Sequence, residues 1–464
     1  MTTTSSETWP EVADLRGWLS HLEENGDLRR VRSGVEEDQE VGAVLEAYDG
    51  RSAVIFDDVR GASFPLVGNT IAKRRHIADA LGCGDSDVVA RVAAAIAAPG
   101  DCKEVAVSDA PVAQVDERLD DLLSDLPLPV QHEHDGGRYI TSALVVVEDS
   151  RTGLTNLSIN RLQVAGPREL RALLLPGRLR HIFADYESRG EDLPVALVLG
   201  VDPLLTLASQ SPAEAELDDL GVASALHPRP LEVVRLPGHP TPVPARAEVV
   251  LLGKLRAGAR ADEGPFGEYP RTYGPGGPAP VIELTRRFRR EQPFVQTILS
   301  GGREHFWLGG VPREARLTQA LRRSGLSVAG VRMTEGGSCR MHAVVSLSKA
   351  RAGDAMQAGM SIFAALAPAK LVVVVDDDVD IFDDEQVAWA LATRFQADRD
   401  LTVLPGCRSG GLDPSAGPDG VTAKLVMDAT VPVGRHEQHA RMRSAVRPDR
   451  LTALIEEAER EHAQ

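Results

Sequence analysis

The chain has 464 residues, 43% of them hydrophobic and 4% aromatic, which is enough apolar material for two or three domains with proper cores. Its formal charge is −17 with no dense basic block, which disfavours nucleic acid or an anionic membrane surface as partner; the few aromatics argue against a base-stacking surface. Cys83, Cys102, Cys339 and Cys407 are irregularly spaced without a CxxC pair, so neither a zinc ribbon nor a thiol redox site is supported.

Residues 1–10 are polar and lack the apolar run of a signal peptide. Residues 15–22 read as an amphipathic helix that ends near Gly26. Short strands at 54–56 and 64–67 and helices at 77–81 and 89–98 follow, forming a small α/β unit that closes around Pro99 and Gly100. The Leu-Pro-Leu-Pro punctuation within 120–129 reads as a linker. From Thr141 the texture turns to strands, at 143–147, 158–164, 194–199, 231–235, 247–252, 280–287 and 294–299, interrupted by a helix at 179–188. Many short strands with few helices predict a barrel or sandwich rather than a doubly wound sheet. The last third returns to α/β, with helices at 314–324, 355–367, 385–393 and 450–461 and strands at 339–346 and 371–375. The apolar run 371–375 lies between Lys370 and Asp376, reads as a strand buried on both faces, and is far too short to span a membrane. A cytoplasmic protein with reduced thiols is expected.

No GxGxxG, Walker or GxSxG signature is present, so Rossmann, P-loop and α/β-hydrolase chemistry is disfavoured. The segment Glu263-Gly-Pro-Phe-Gly-Glu268 holds two carboxylates five residues apart. In an unbroken strand they would face opposite sides, but the Gly-Pro-Phe-Gly insert predicts a turn that aims both into one cavity. Two carboxylates beside one cation titrate apart, which lets one keep a proton for general-acid work. Spacing alone does not separate this from a surface turn between two solvated glutamates.

In Thr155-Asn-Leu-Ser-Ile-Asn-Arg161, alternation places Arg161 on the face of Leu157 and Ile159. A buried arginine there implies an anionic partner; an edge-strand arginine with its head in water is the bland alternative. Asp376-Asp-Asp378 reads as structural rather than as a magnesium site, and His132, His134, His436 and His439 read as surface histidines.

The segments TNLSINR and EGPFGE, in this order and about a hundred residues apart, closely resemble the UbiD decarboxylase family. So do Arg138-Tyr-Ile-Thr141, LVVVVDDDVDIF over 371–382 and AKLVMDAT over 423–430, and the likeness runs to about Thr430. The resemblance implies an α+β protein with an N-terminal α/β domain at 1–119 and a split β-barrel flavin-binding domain at 120–312. A C-terminal α/β oligomerisation domain at 313–435 and a helical tail at 436–464 complete it.

By the same resemblance the cofactor is prenylated FMN, made by a flavin prenyltransferase, and the reaction is reversible decarboxylation of an aromatic, heteroaromatic or α,β-unsaturated acid. Arg161 matches the arginine that orients the substrate carboxylate, Glu263 its carboxylate partner, and Glu268 the proton donor. Asn156, Ser158, Ile159, Asn160 and Arg161 fall where the family holds its flavin, with Arg178, His181, Ser209 and Lys370 toward the phosphate. Asn156, His181 and Asp219 match the manganese ligands, His181 with extra residues ahead of it; a gap-free reading puts Arg178 in its place. Ser209-Gln-Ser-Pro212 matches the segment that helps hold potassium. Leu412 and the loop 406–411 are expected to shape the substrate pocket. A homodimer is expected, with a hexamer as the other assembly. The competing reading is a non-catalytic flavin-binding or assembly subunit of a multi-component carboxylase.

Overall fold

The computed structural model describes residues 12–211, 217–274, 276–435, 439, 441–442 and 446–462. Its first helix, Leu15–Glu24, follows from local chemistry: the Asp14 carboxylate accepts the Gly17 amide, and Leu15, Trp18, Leu19 and Leu22 form one buried face. Trp18 anchors that face by donating its indole N–H to the Thr70 carbonyl at 2.8 Å. The adjoining sheet runs Leu28–Val31, Ala53–Phe56, Leu66–Gly68 and then Val295–Gln296, a strand supplied from more than two hundred residues away.

The middle of the chain builds a nine-stranded sheet, antiparallel throughout, that curls into a half-barrel. Its spine is the pairing of Val249–Glu263 with Gly277–Arg289, with Leu193–Leu199, Leu144–Glu148 and Thr155–Ile159 on one side. Glu169–Ala172, Leu162–Val164 and Tyr139–Ile140 continue the other side, so the two ends of the sheet remain apart. The expected strand 158–164 is therefore two strands belonging to opposite ends, broken at Asn160 and Arg161.

Segment 120–129, expected as a linker, is instead packed. Leu122, Leu123, Leu126 and Leu128 are buried, and Arg287 reaches from the barrel to Asp125 and the Leu122 carbonyl. Prolines break regular structure without freeing the chain when the intervening leucines have a core to enter.

The C-terminal part is a five-stranded mixed sheet ordered Val328–Met333, His342–Leu347, Leu371–Asp376, Val421–Asp428, Leu401–Arg408. Leu371–Asp376 is central and parallel to both neighbours, as its unbroken apolar run predicts. The acidic stretch beyond it is tied down by Arg394, which pairs with Asp376 at 2.8 Å and with both oxygens of Asp378 at 2.8 and 2.7 Å. No helix among the described residues is long and apolar enough to cross a membrane.

The helix Arg303–Arg323 joins barrel to C-terminal sheet, and its Glu304 is buried, accepting the Thr70 hydroxyl and the Ile71 amide of the N-terminal unit. Burial pushes this carboxyl up to about 7. The native protein thus binds a proton that the unfolded chain releases above its ordinary value of 4.5. Stability from this group is present below about pH 4.5 and lost as the pH climbs to about 7, a swing of up to about 3 kcal/mol. Urea unfolding across that window should show wild type weakening relative to Glu304→Gln; parallel pH profiles would contradict it.

Candidate active site

Two segments distant in sequence meet where the half-barrel faces the C-terminal sheet. Arg161 lies just past the end of Thr155–Ile159, Glu263 closes the strand Val249–Glu263, and Glu268 follows a turn built by Gly264 to Gly267. The turn is held from outside. Tyr139 donates its hydroxyl to the Gly264 carbonyl at 3.1 Å, Gln163 accepts the Gly264 amide at 3.0 Å, and Asp135 accepts the Gly267 amide at 2.9 Å. Gly264 also packs against Gly136 so closely that a Cβ on it would sit 2.7 Å from the Gly136 Cα. The turn thereby sends both glutamates to one guanidinium.

Arg161 donates through Nη2 to Glu263 Oε2 at 2.7 Å and through Nη1 to Glu268 Oε1. Its side chain is 7% exposed, and those of Glu263 and Glu268 are 2% and 10% exposed, so the surface-residue alternatives do not apply. The guanidinium lies 5.5 Å from the centre of the Phe266 ring, which Tyr139 backs at 4.4 Å. Burial raises the pKa of both glutamates against the opposing pull of Arg161, and Glu263 pushes Glu268 further up. The guanidinium, forked between two carboxylates, is held in its charged form.

Glu268 and Arg161 face a cavity of about 780 Å³, large enough for a planar cofactor together with a small acid. Ile159, Asn160, Leu173, Leu175 and Phe266 line it on the barrel side, with Ile298 and, on the helix Arg303–Arg323, Leu308 beside them. Arg408, Ser409, Gly410, Gly411 and Leu412 line it from the C-terminal sheet, which places the loop singled out in the sequence at this wall. Arg313, Arg340 and His305 also face the cavity; His305 and Arg313 share the helix Arg303–Arg323, whereas Arg340 comes from the segment before His342–Leu347, so no local sequence pattern joins the three.

A second buried polar group lies under the same strand. Asp219 opens the helix Asp219–Leu226, and its Oδ2 accepts the Leu157 amide at 2.8 Å, Asn156 Nδ2 at 3.0 Å and Arg178 Nη2 at 2.7 Å. Asn156 Oδ1 and Asp219 Oδ1 are buried with no hydrogen-bond partner among the described residues. Burial lifts the Asp219 carboxyl to about 7 against the pull of Arg178. The structure thus brings Asn156, Asp219 and Arg178 together. It does not bring His181 to them: His181 sits exposed one turn further along the helix Arg178–Ser188, and no hydrogen bond among the described residues joins it to Asn156 or Asp219.

The two orphaned oxygens suit a divalent cation, whereas arginine is a donor without a lone pair to give; the complete Asn-His-carboxylate set is not assembled. No cluster of three His, Cys, Asp or Glu side chains suited to a metal occurs among the described residues.

Other expected residues fall as follows. Ser158 accepts Asn160 Nδ2 at 2.9 Å. Ser209 caps the helix Pro203–Ala208 with its hydroxyl on the Thr206 carbonyl, and Pro212 lies outside the described residues. Lys370 pairs with Asp413 at 2.8 Å and Ser415 at 2.6 Å, away from the Asn156–Asp219 group. His132 is beside Asp135 at 3.5 Å and His134 is against Tyr273, while His436 lies outside the described residues.

Fold and site together define a three-part enzyme whose half-barrel presents a buried Arg–Glu–Glu group to a large cavity. Residues 19–96, 103–303 and 306–429 match the N-terminal, Rift-related and C-terminal domains of 3-octaprenyl-4-hydroxybenzoate carboxy-lyase. Among curated relatives, the anhydromevalonate phosphate decarboxylase of Methanothermobacter thermautotrophicus is 35% identical over 92% of this chain and 99% of its own. The phenolic acid decarboxylase of Bacillus subtilis is 30% identical over 90% and 93%. Among solved structures, the UbiD-class enzyme HmfF from Pelotomaculum thermopropionicum in complex with FMN superposes with a TM-score of 0.91 at 42% identity, covering 94% of this chain and 98% of that one. An evolved dimeric form of it, in complex with prFMN, gives 0.87 at 40% identity over 94% and 97%. The chain belongs to the UbiD family. It is a carboxy-lyase.

Proposed function

We propose that the protein reversibly decarboxylates an aromatic, heteroaromatic or α,β-unsaturated carboxylic acid with prenylated FMN held in the large cavity. The observation that carries this reading is Arg161 forked between two buried glutamates at the cavity wall. The bound prenylated flavin supplies the sink for the electron pair left when carbon dioxide departs. Arg161 orients the substrate carboxylate, since its guanidinium is fixed in direction by Glu263 behind it. Glu268, with its pKa raised by burial, holds the proton that replaces the carboxylate on carbon. In the carboxylation direction the same carboxylate takes that proton back. The buried apolar walls at Ile298 and Leu308 exclude water and so strengthen both interactions. We place the protein in the cytoplasm, as a homodimer supplied with cofactor by a flavin prenyltransferase.

The test is expression with a flavin prenyltransferase, followed by absorbance spectra of the holoprotein and turnover of candidate acids. Prenylated flavin with carbon dioxide release is the expected result; a fully loaded protein that turns over no acid in either direction would overturn the proposal.

At the phosphate end, we assign the histidine's place to Arg178, with Asn156 and Asp219 as the remaining oxygen ligands. Arg178 contributes a fixed positive charge to the phosphate and competes for Asp219, which weakens manganese by about 10- to 100-fold. Metal analysis should find less than stoichiometric manganese after dialysis of the holoprotein, and Arg178→His should retain more. Stoichiometric manganese in the unaltered protein would reject the assignment.

A further inference from the structure

Near Glu268, the cavity wall carries more positive charge than decarboxylation of a simple acid requires. Arg340 is buried, its Nη1 donates to the Ser338 carbonyl at 3.2 Å, and its guanidinium lies 4.6 Å from the centre of the Tyr269 ring. Arg313, on the helix Arg303–Arg323, donates to the Gly309 carbonyl one turn back. The two guanidinium groups converge: a Cβ on Gly309 would lie 2.5 Å from Arg340 Nη2 and 2.7 Å from Arg313 Nη1. Any side chain at Gly309 would push one or both guanidinium groups aside.

Neither arginine has a carboxylate within 4.0 Å among the described residues. The carboxylate that acts on Arg340 through its charge is Glu268, which is already committed to Arg161. Around this end of the cavity, Arg161, Arg313 and Arg340 face Glu263 and Glu268, three cations against two carboxylates, and a proton on Glu268 widens the gap. Arg408 and Asp419 also line the cavity, but both from its exposed rim, where the Asp419 carboxylate accepts the Val421 amide at 3.1 Å. Burial lowers the pKa of both arginines, and at Arg313 repulsion by Arg340 adds to it, bringing that group to about 9. His305 beside them accepts the Gly301 amide on Nδ1 at 3.4 Å, and burial with the two arginines keeps its ring neutral, so Nε2 is left as a donor. Like charges are held together in an apolar wall only when an anion completes them.

Resting on the decarboxylase reading of this cavity, we infer that the substrate carries a second anionic group, a carboxylate or a phosphate, bound by Arg313, Arg340 and His305 while Arg161 takes the carboxylate that is lost. The guanidinium pair suits either group, since both present paired oxygens to its N–H forks. Ile298 and Leu308, apolar residues of the same lining, hold the carbon skeleton.

The test is equilibrium dialysis of holoprotein with three probes: terephthalate, 4-phosphonobenzoate, and the singly charged, similarly shaped 4-acetylbenzoate. One of the two doubly acidic probes should bind at least about tenfold more tightly than 4-acetylbenzoate, and which one identifies carboxylate or phosphate. Arg313→Leu with Arg340→Leu should bring the probes to parity, while Arg313→Lys keeps most of the preference. Arg340→Gln, which retains a donor for the Ser338 carbonyl, serves if the double variant fails to fold. Equal affinities in the unaltered protein, or a preference that survives Arg340→Gln and the double variant alike, would overturn the inference. Binding is read without turnover, so an inactive protein that still prefers a doubly acidic probe counts against the decarboxylase reading and for the anion subsite.

Discussion

Glu268→Gln is expected to lower turnover by about 10²- to 10⁴-fold while leaving flavin loading and thermal stability close to those of the unaltered protein. Glutamine preserves the side-chain shape, and its carbonyl oxygen still accepts Arg161 Nη1. What it removes is the transferable proton. Burial, with Glu263 adding to it, raises the Glu268 pKa, so the protonated donor persists to higher pH than it would in water. The rate of the proton-donating step should therefore hold at low pH and fall as the pH rises through that raised value. Stopped-flow or carbon dioxide assays across the pH range would read both effects. Glu268→Gln turning over at the normal rate with the same pH profile would remove Glu268 from the proposed chemistry.

Arg161→Met carries the second large effect, and it acts on stability as well as on activity. Removing the guanidinium strands two buried carboxylates, Glu263 and Glu268, that share it now. Breaking a buried pair from one side costs about 3–5 kcal/mol, because the remaining charge has neither water nor partner. The loss should be largest near neutral pH and shrink on acidification, since both carboxylates escape it by taking up protons. Adding Glu263→Gln to Arg161→Met should restore part of the stability and none of the activity. Denaturant unfolding of the four proteins of this cycle gives the coupling directly; strictly additive effects would mean that the pair is not coupled. Arg161→Lys does not rescue, because a single ammonium cannot fork to two carboxylates in fixed directions.

Much of the fold follows from local pattern. Leu15, Trp18, Leu19 and Leu22 make a helix face wherever they are placed, and the unbroken run of Leu371–Asp376 makes a central strand. The pattern misleads where burial comes from elsewhere in the chain. Leu122, Leu123, Leu126 and Leu128 read as a linker because their prolines are local and the core they enter is not. Alternation read 155–161 as one strand, yet the sheet ends at Ile159 because the chain must cross to the opposite end of the half-barrel, and that break sets Arg161 at the cavity.

By itself the sequence determined most of the elements and offered Glu263, Glu268 and Arg161 as candidates, which only the family resemblance joined into one site. Only the tertiary structure decided which residues share a buried volume. It put Arg178 rather than His181 onto Asp219, because one turn of helix separates a buried side chain from an exposed one. It also set Arg313 and Arg340 on either side of Gly309, from elements that no spacing rule connects. Hydrophobic period is a local property of the chain, whereas the cost of burying a charge depends on every group that the fold brings within a few ångströms of it.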